Sequence, residues 1–341
     1  MAEEISLKDD ERILVSRTDR LGDLILALPL IESIKARYPK CHIDVMASDY
    51  ASPVLENHDS VRKVIKVDNA ALRNDKACRR ELRETLQNDK YRAALVLFPE
   101  KIISRIIYKA KIPVRIGTAR RFQSIYFNRF LFHGRRANKK HESEYNLDFL
   151  KFFRPGRVNS VPHVYLEEDE INTAGKVLES AGVSGRFIVL HPGSGGSADR
   201  WPLGHFVKLY YILKSRNYPV IITGSMEEKD EINRVAEKIN IAMVNLAGKT
   251  DIRTLAGLLS LASLAIANST GPLHLAAAVG TRVIGLYPHT RTMSPVRWGP
   301  LGTGHQVILP PPESQNDMSG ISPEHVAETA VSMMSNSEVI K

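Results

Sequence analysis

Short apolar runs alternate with longer stretches in which apolar residues recur every three or four positions, from residue 12 almost to the end of the chain. The first are strand-sized and the second helical, and their alternation predicts βαβ units around a parallel sheet. In the first half "RILVSR" (12–17), "HIDVMA" (42–47), "VRKVIKV" (61–67) and "RAALVLF" (92–98) read as strands. "LGDLILALPLIESIKARYP" (21–39) reads as a helix that Pro29 is placed to bend. The periodicity fades between 101 and 157, which predicts long loops. It restarts with "RFIVLHPG" (186–193), "YPVIITG" (218–224), "IAMVNLAG" (241–248), "LAIA" (264–267) and "TRVIGLY" (281–287). Helical patterns near 204–217, 227–239, 252–261 and 271–279 separate these strands, and a last helix is expected at 323–335, free to fold back on the first half. "RPGRVNSVP" (154–162) has the composition of a linker, so two α/β domains are expected, 1–160 and 161–341.

Composition excludes several classes. No apolar run approaches the ~20 residues of a membrane-spanning helix. The first residues are acidic and polar, unlike a secretory signal. Two cysteines, Cys41 and Cys78, provide neither a disulfide framework nor a metal spacing. A cytoplasmic, reduced protein is expected. Charge adds a sharper feature. The net charge is +9, and residues 101–141 alone hold twelve Lys or Arg with no Asp or Glu. Phe122, Tyr126, Phe127, Phe130 and Phe132 interleave with these cations. The patch is either a solvated basic loop or a site for a phosphorylated ligand or an anionic membrane surface. Arg120, Arg121, Arg135, Arg136, Lys139 and Lys140 are the candidate membrane contacts.

Four predicted strand-to-helix turns carry unusual chemistry, and in open α/β sheets ligands sit beyond the carboxyl ends of strands. "RTDRLGD" (17–23) sets Asp19 and Asp23 at a helix start, where Asp23 either complements the helix dipole or serves as a catalytic carboxylate. The dipole should hold its pKa down. "HPGSGGSADRWP" (191–202) bares backbone amides at Ser194, Gly195 and Gly196, with Ser197 and Arg200 beside them, and suits a diphosphate. "ITGSMEEKDE" (222–231) opens a helix with Glu227 and Glu228, either ordinary N-terminal acids or a ribose-binding carboxylate. "NSTGPLHLAAAVG" (268–280) predicts a helix capped at Gly271, with Pro272 first inside and Gly280 as the stop. Its small residues expose first-turn amides to an anion, with His274 alongside.

"RTDRLGDLILALPLIESIK", "HPGSGGSADRWPLGHF" and "NSTGPLHLAAAVGTRVIGLY", in this order and spacing, resemble glycosyltransferase family 9, the lipopolysaccharide heptosyltransferase family. The resemblance implies an α/β GT-B fold: two Rossmann-like domains with an interdomain cleft. It implies inverting transfer of a sugar, typically heptose from ADP-heptose, to the lipopolysaccharide core. The acceptor would lie on the N-terminal domain, where Arg17, Asp19, Arg20, Arg120 and Arg121 are its candidate contacts. The nucleotide would lie on the C-terminal domain. The family base falls on Asp23, the phosphate-contacting cation on Arg200 and the ribose carboxylate on Glu227 or Glu228. The diphosphate turn falls on Ser269, Thr270, Gly271 and His274, with Ser194, Gly195 and Ser197 on the facing loop. Ser269 stands where the family has aspartate and supplies no charge.

No Asp-x-Asp motif occurs, so no metal and no cofactor beyond the nucleotide-sugar co-substrate are expected. Peripheral attachment to the cytoplasmic face of the inner membrane follows from the basic patch. A nucleotide-sugar epimerase, a silent nucleotide-binding protein and a nucleic-acid binder remain as alternatives, although no nucleic-acid fold signature accompanies the patch.

Overall fold

A computed structural model describes residues 4–154, 156–194, 196, 199–238 and 242–335. The chain divides into two compact units between Tyr165 and Leu166. The expected linker at 154–162 belongs to the first unit: the Arg154 amide donates to the Tyr38 hydroxyl at 3.0 Å, and the Asn159 amide to Ser33 Oγ at 3.1 Å.

The first unit holds strands β1 (Arg12–Ser16), β2 (His42–Ser48), β3 (Lys63–Val67), β4 (Ala93–Val96), β5 (Val114–Thr118) and β6 (Arg129–Leu131). They form one parallel sheet in the order β3-β2-β1-β4-β5-β6. The second unit holds β7 (Ile188–His191), β8 (Val220–Ile222), β9 (Val244–Asn245), β10 (Leu264–Asn268), β11 (Val283–Leu286) and β12 (Gln306–Ile308). Their order is β12-β11-β10-β7-β8-β9, again all parallel. Counted within each unit, both sheets run 3-2-1-4-5-6, the doubly wound order in which the winding reverses beside the first strand. The switch points fall between β1 and β4, and between β7 and β10. Central strands such as Ile13–Val15 and Leu264–Ile266 are buried on both faces, as parallel sheets covered by helices require.

The basic segment is structured, not a long loop. Helix Lys101–Lys109 buries Ile103, Ile106 and Ile107 and is capped by the Glu100 carboxylate, which accepts from the amides of Ile102 and Ile103. β5 and β6 follow. Their apolar signal is diluted because Arg115 and Gly117 interrupt it. Arg115 instead bonds the Tyr126 carbonyl at 2.8 Å and stacks over Tyr108 at 5.3 Å. Gly117 lies under the Phe127 ring, which occupies the position a Cβ would take.

Pro29 breaks the expected long helix rather than bending it. Helices Leu21–Ile25 and Leu28–Arg37 replace it, with the proline in the first turn of the second. Helix Pro323–Ser335 is built into the second unit: Val326, Ala327, Ala330, Met333 and Met334 join its core, beside Phe206 and Leu209 of helix Leu203–Ser215.

Helix Gly271–Ala278 ends as expected. Gly280 has φ +89°, its amide bonds Ala277 O at 3.1 Å, and the Thr281 amide bonds Ala276 O at 3.0 Å. This is the Schellman stop, which needs a left-handed residue. The start lies one residue earlier than expected: Thr270 is the cap, and Gly271 the first helical residue. Gly280→Ala is expected to lower unfolding free energy by about 1–2 kcal/mol in a urea titration, since a Cβ is strained at positive φ.

Candidate active site

In a parallel sheet the carboxyl ends of neighbouring strands lie side by side. In the first unit the turns after β1, β4 and β5 therefore share one edge. Asp23 sits in helix Leu21–Ile25 directly after β1. Arg20 and Arg120, after β1 and β5, are exposed there. Arg121 is exposed too, with its guanidinium stacked on Phe98, which follows β4, at 5.2 Å.

Arg17 is not an exposed acceptor contact. Its side chain is 2% exposed, and four groups hold it. Nε donates to Asp19 Oδ1 at 2.8 Å, and Nη2 pairs with Asp23. Nη1 donates to Glu142 Oε1 at 3.2 Å and to Asn146 Oδ1 at 3.4 Å. Glu142 is buried and also pairs with Arg135 Nη2 at 3.1 Å. Arg135 is thereby turned inward, with its guanidinium 5.4 Å from the Tyr145 ring centre, and leaves the expected membrane face. The cluster brings three carboxylates to two guanidiniums. With all three ionised it would hold one excess negative charge away from water, and burying an unmatched charge is strongly unfavourable.

That imbalance reverses the expectation for Asp23. Burial, followed by the Asp19 and Glu142 carboxylates, raises its pKa, while Arg17 opposes them; the balance puts it at about 7. The helix dipole, worth at most ~1 kcal/mol at a surface site, is outweighed. A carboxylate near 7 divides between its two forms at neutral pH and is a stronger base than an ordinary aspartate.

In the second unit the turns after β7, β8 and β10 meet at the switch point. Arg200 is exposed and donates from Nε to Ser194 Oγ at 2.8 Å. The next residue, Trp201, donates its amide to Asn268 Oδ1 at 2.9 Å, and Asn268 Nδ2 donates to Pro192 O at 2.8 Å. Asn268, buried at the end of β10, thus pins both ends of the β7 loop beside the Ser269–Thr270 turn. Gly195 and Ser197 lie outside the described residues, as does the Arg136 side chain. Thr270 is buried and bonds the Asn268 carbonyl at 3.2 Å. Ser269 bonds the buried Tyr287 hydroxyl, which itself donates to Trp298 O at 2.5 Å. His274 is buried too, contrary to its exposed-looking place in the sequence.

The two glutamates separate. Glu227 is exposed, and hydrogen bonds from Ser225 and its own amide keep its pKa low. Glu228 accepts the Ser225 amide at 2.9 Å and lies across Gly193, where a Cβ would sit 2.3 Å from its Oε2. Gly193 is therefore required for this close approach. Beside it His191 is partly buried, its Nδ1 2.9 Å from Thr223 Oγ1, and desolvation lowers its pKa to about 4. Among the described residues no group of three or more His, Cys, Asp or Glu is placed to hold a metal ion.

Sequence reasoning missed Glu142, Asn146, Asn268 and Tyr287. One signal pointed to Glu142: it is the first acid after forty-one residues without one, and Asn146 follows at helical spacing.

Two units of this winding, with charged and glycine-rich turns at the carboxyl edges of their sheets, are the two Rossmann-like halves of a GT-B fold. The family model for glycosyltransferase family 9 (heptosyltransferase) matches residues 79–324. A Haemophilus influenzae protein named as a glycosyltransferase is 29% identical over 321 residues, 91% of this chain and 92% of its own. Lipooligosaccharide heptosyltransferase 2 of the same organism is 30% identical over 296 residues, covering 82% of this chain and 83% of its own. The solved structure of E. coli ADP-heptose LPS heptosyltransferase II matches with a TM-score of 0.80 at 23% identity, covering 96% and 99% of the two chains. The chain belongs to glycosyltransferase family 9, the heptosyltransferases.

A raised pKa makes the ionised Asp23 unfavourable in the folded chain. The stability this group contributes is full below its unfolded value of about 4 and is lost as pH rises through about 7. Asp23→Asn is therefore expected to match the parent below pH ~4 and to exceed it in unfolding midpoint above pH ~7.

Proposed function

We propose that the protein transfers heptose from ADP-heptose to a lipopolysaccharide core acceptor, with inversion at the anomeric carbon. The donor is that in the name of the E. coli structure, and the acceptor class is that in the names of the heptosyltransferase relatives. One observation carries the mechanism: the Asp23 carboxylate, paired with the buried Arg17 guanidinium, stands at the carboxyl edge of the first sheet, where burial raises its pKa. In this reading Asp23 takes the proton from the acceptor hydroxyl as its oxygen attacks the anomeric carbon. The glycosidic bond to the diphosphate breaks, and ADP leaves. Arg200, braced by Ser194, and the first-turn amides of helix Gly271–Ala278 meet the charge that develops on the diphosphate. Fixed protein groups take this role without a metal ion. Glu228, over Gly193, is the carboxylate for the ribose hydroxyls, and Glu227 points to solvent. Ser269 is spent on Tyr287. Arg20, Arg120 and Arg121 face the acceptor's phosphates and carboxylates.

Attachment to the cytoplasmic face of the inner membrane belongs to the same reading. No described helix is long and apolar enough to cross a membrane. Phe122, Ile125 and Phe132 are 75%, 62% and 74% exposed, and Phe130 is partly so. Arg120, Lys139 and Lys140 are exposed in the same segment, although Lys140 also pairs with Asp148 at 2.8 Å. Aromatic side chains beside cations suit the interface of an anionic bilayer.

Asp23→Asn is expected to lose about 10²–10⁴-fold in turnover, with ADP affinity by calorimetry unchanged. The parent rate should rise with pH through about 7 as Asp23 loses its proton. Phe122→Ser with Phe132→Ser should cut co-sedimentation with vesicles containing anionic phospholipid. Parent binding should also weaken as salt shortens the screening length from about 10 Å at 0.1 M to about 3 Å at 1 M.

A further inference from the structure

Helix Glu142–Leu147 is short, and its start is fixed by its own cap. The His141 ring accepts the Ser143 amide at 3.2 Å, and the His141 amide donates to Glu144 Oε2 at 2.7 Å. Glu142 and Asn146 stand four residues apart, hence on one face. Both are buried. That face makes two separate attachments to the segment carrying Asp23. Glu142 Oε1 and Asn146 Oδ1 both take Arg17 Nη1, and Asn146 Nδ2 donates to Leu26 O at 2.9 Å. Leu26 is the C-cap of the helix that bears Asp23. The guanidinium fork and the far end of the Asp23 helix are therefore fixed to one rigid surface. Arg135, at 3.1 Å, closes the other side of Glu142.

We propose that Glu142 and Asn146 are positioning residues for the transfer reaction, holding Arg17 and the Asp23 helix so that the Asp23 carboxylate is fixed in place, with Arg135 balancing the charge of Glu142. This inference rests on the reading of Asp23 as the base. None of the three need touch a substrate. The groups that bear on Asp23 are Arg17 and Asp19 from its own turn and Glu142 from the capped helix, with Arg135 acting through Glu142. Each enters with a known sign. Removing the charge of Glu142 takes away a like-charged neighbour of Asp23, whereas removing that of Arg135 leaves the cluster more negative.

The test is the pH profile of kcat/KM for ADP release from ADP-heptose with a truncated core acceptor, between about pH 5 and 9. Glu142→Gln should move the acidic limb down by about one pH unit, and Arg135→Gln should move it up. Glu142→Asp keeps the charge and should restore most of the parent profile. Opposite shifts from two variants are not produced by a general loss of structure, and thermal melting of each variant records folding separately. If Glu142→Gln fails to fold, the upward shift in Arg135→Gln still decides the matter. Limbs that stay put, or move the same way in both variants, would overturn the proposal provided that Asp23→Asn is inactive. Should Asp23→Asn turn over normally, the base assignment fails instead. The positioning claim then stands or falls on the infrared titration of the Asp23 carboxyl band, identified by subtracting the Asp23→Asn spectrum, in the same variants.

Discussion

One buried guanidinium organises the edge of the first sheet. Arg17 directly follows β1 with nowhere to find water, so every hydrogen-bond donor it carries must be met from within the protein. Asp19, Asp23, Glu142 and Asn146 supply the partners, drawn from two segments more than a hundred residues apart. Once they converge, carboxylates outnumber guanidiniums even with Arg135 included, and burial first, then the Asp19 and Glu142 charges, raise the proton affinity of Asp23 against the pull of Arg17. The same contacts fix where helix Glu142–Leu147 lies, and Asn146 extends them to the backbone after Asp23. Charge balance and local architecture are here one arrangement.

The corresponding edge of the second unit is built differently. Its loops are held by neutral groups: the Asn268 amide bridges Pro192 and Trp201, Thr270 bonds back to its own strand, and Ser269 is tied to Tyr287. Desolvation lowers the pKa of the His191 imidazole, which favours its uncharged form. Positive charge is left to an exposed arginine, Arg200, and to backbone amides, whose partial charges carry little desolvation penalty when the site is empty. A diphosphate, already strongly charged, needs a fixed set of donors more than a tuned acid or base.

The sequence conveyed the fold where burial was complete. Strands β1, β4, β7, β10 and β11 are built on continuous apolar runs, and the glycine stop at Gly280 is dictated by its positive φ. It conveyed the edge strands β6 and β12 poorly, because they are short and their exposed residues, such as Phe130 and Gln306, follow no core pattern, and β5 poorly because Arg115 and Gly117 interrupt its apolar run. At the site it located the turns, since glycine, proline and small polar residues mark strand-to-helix junctions locally. It misjudged what depends on partners distant along the chain. Arg17 and Arg135 look like surface cations until Glu142 is beside them. Asp23 looks like a dipole-complementing acid until burial and two more carboxylates are counted. His274 looks exposed because a first turn rich in small residues gives no sign of what covers it.

Both sheets wind in the same order, each around a core of its own. Such a design separates two kinds of inheritance. In the proposed reading, residues that select the sugar nucleotide and residues that select the molecule receiving the sugar belong to separately packed halves, so drift in one need not disturb the packing of the other. With the donor and the acceptor on separate halves, as in that reading, a lineage could exchange acceptors while keeping its donor, by changing loops at one sheet edge alone.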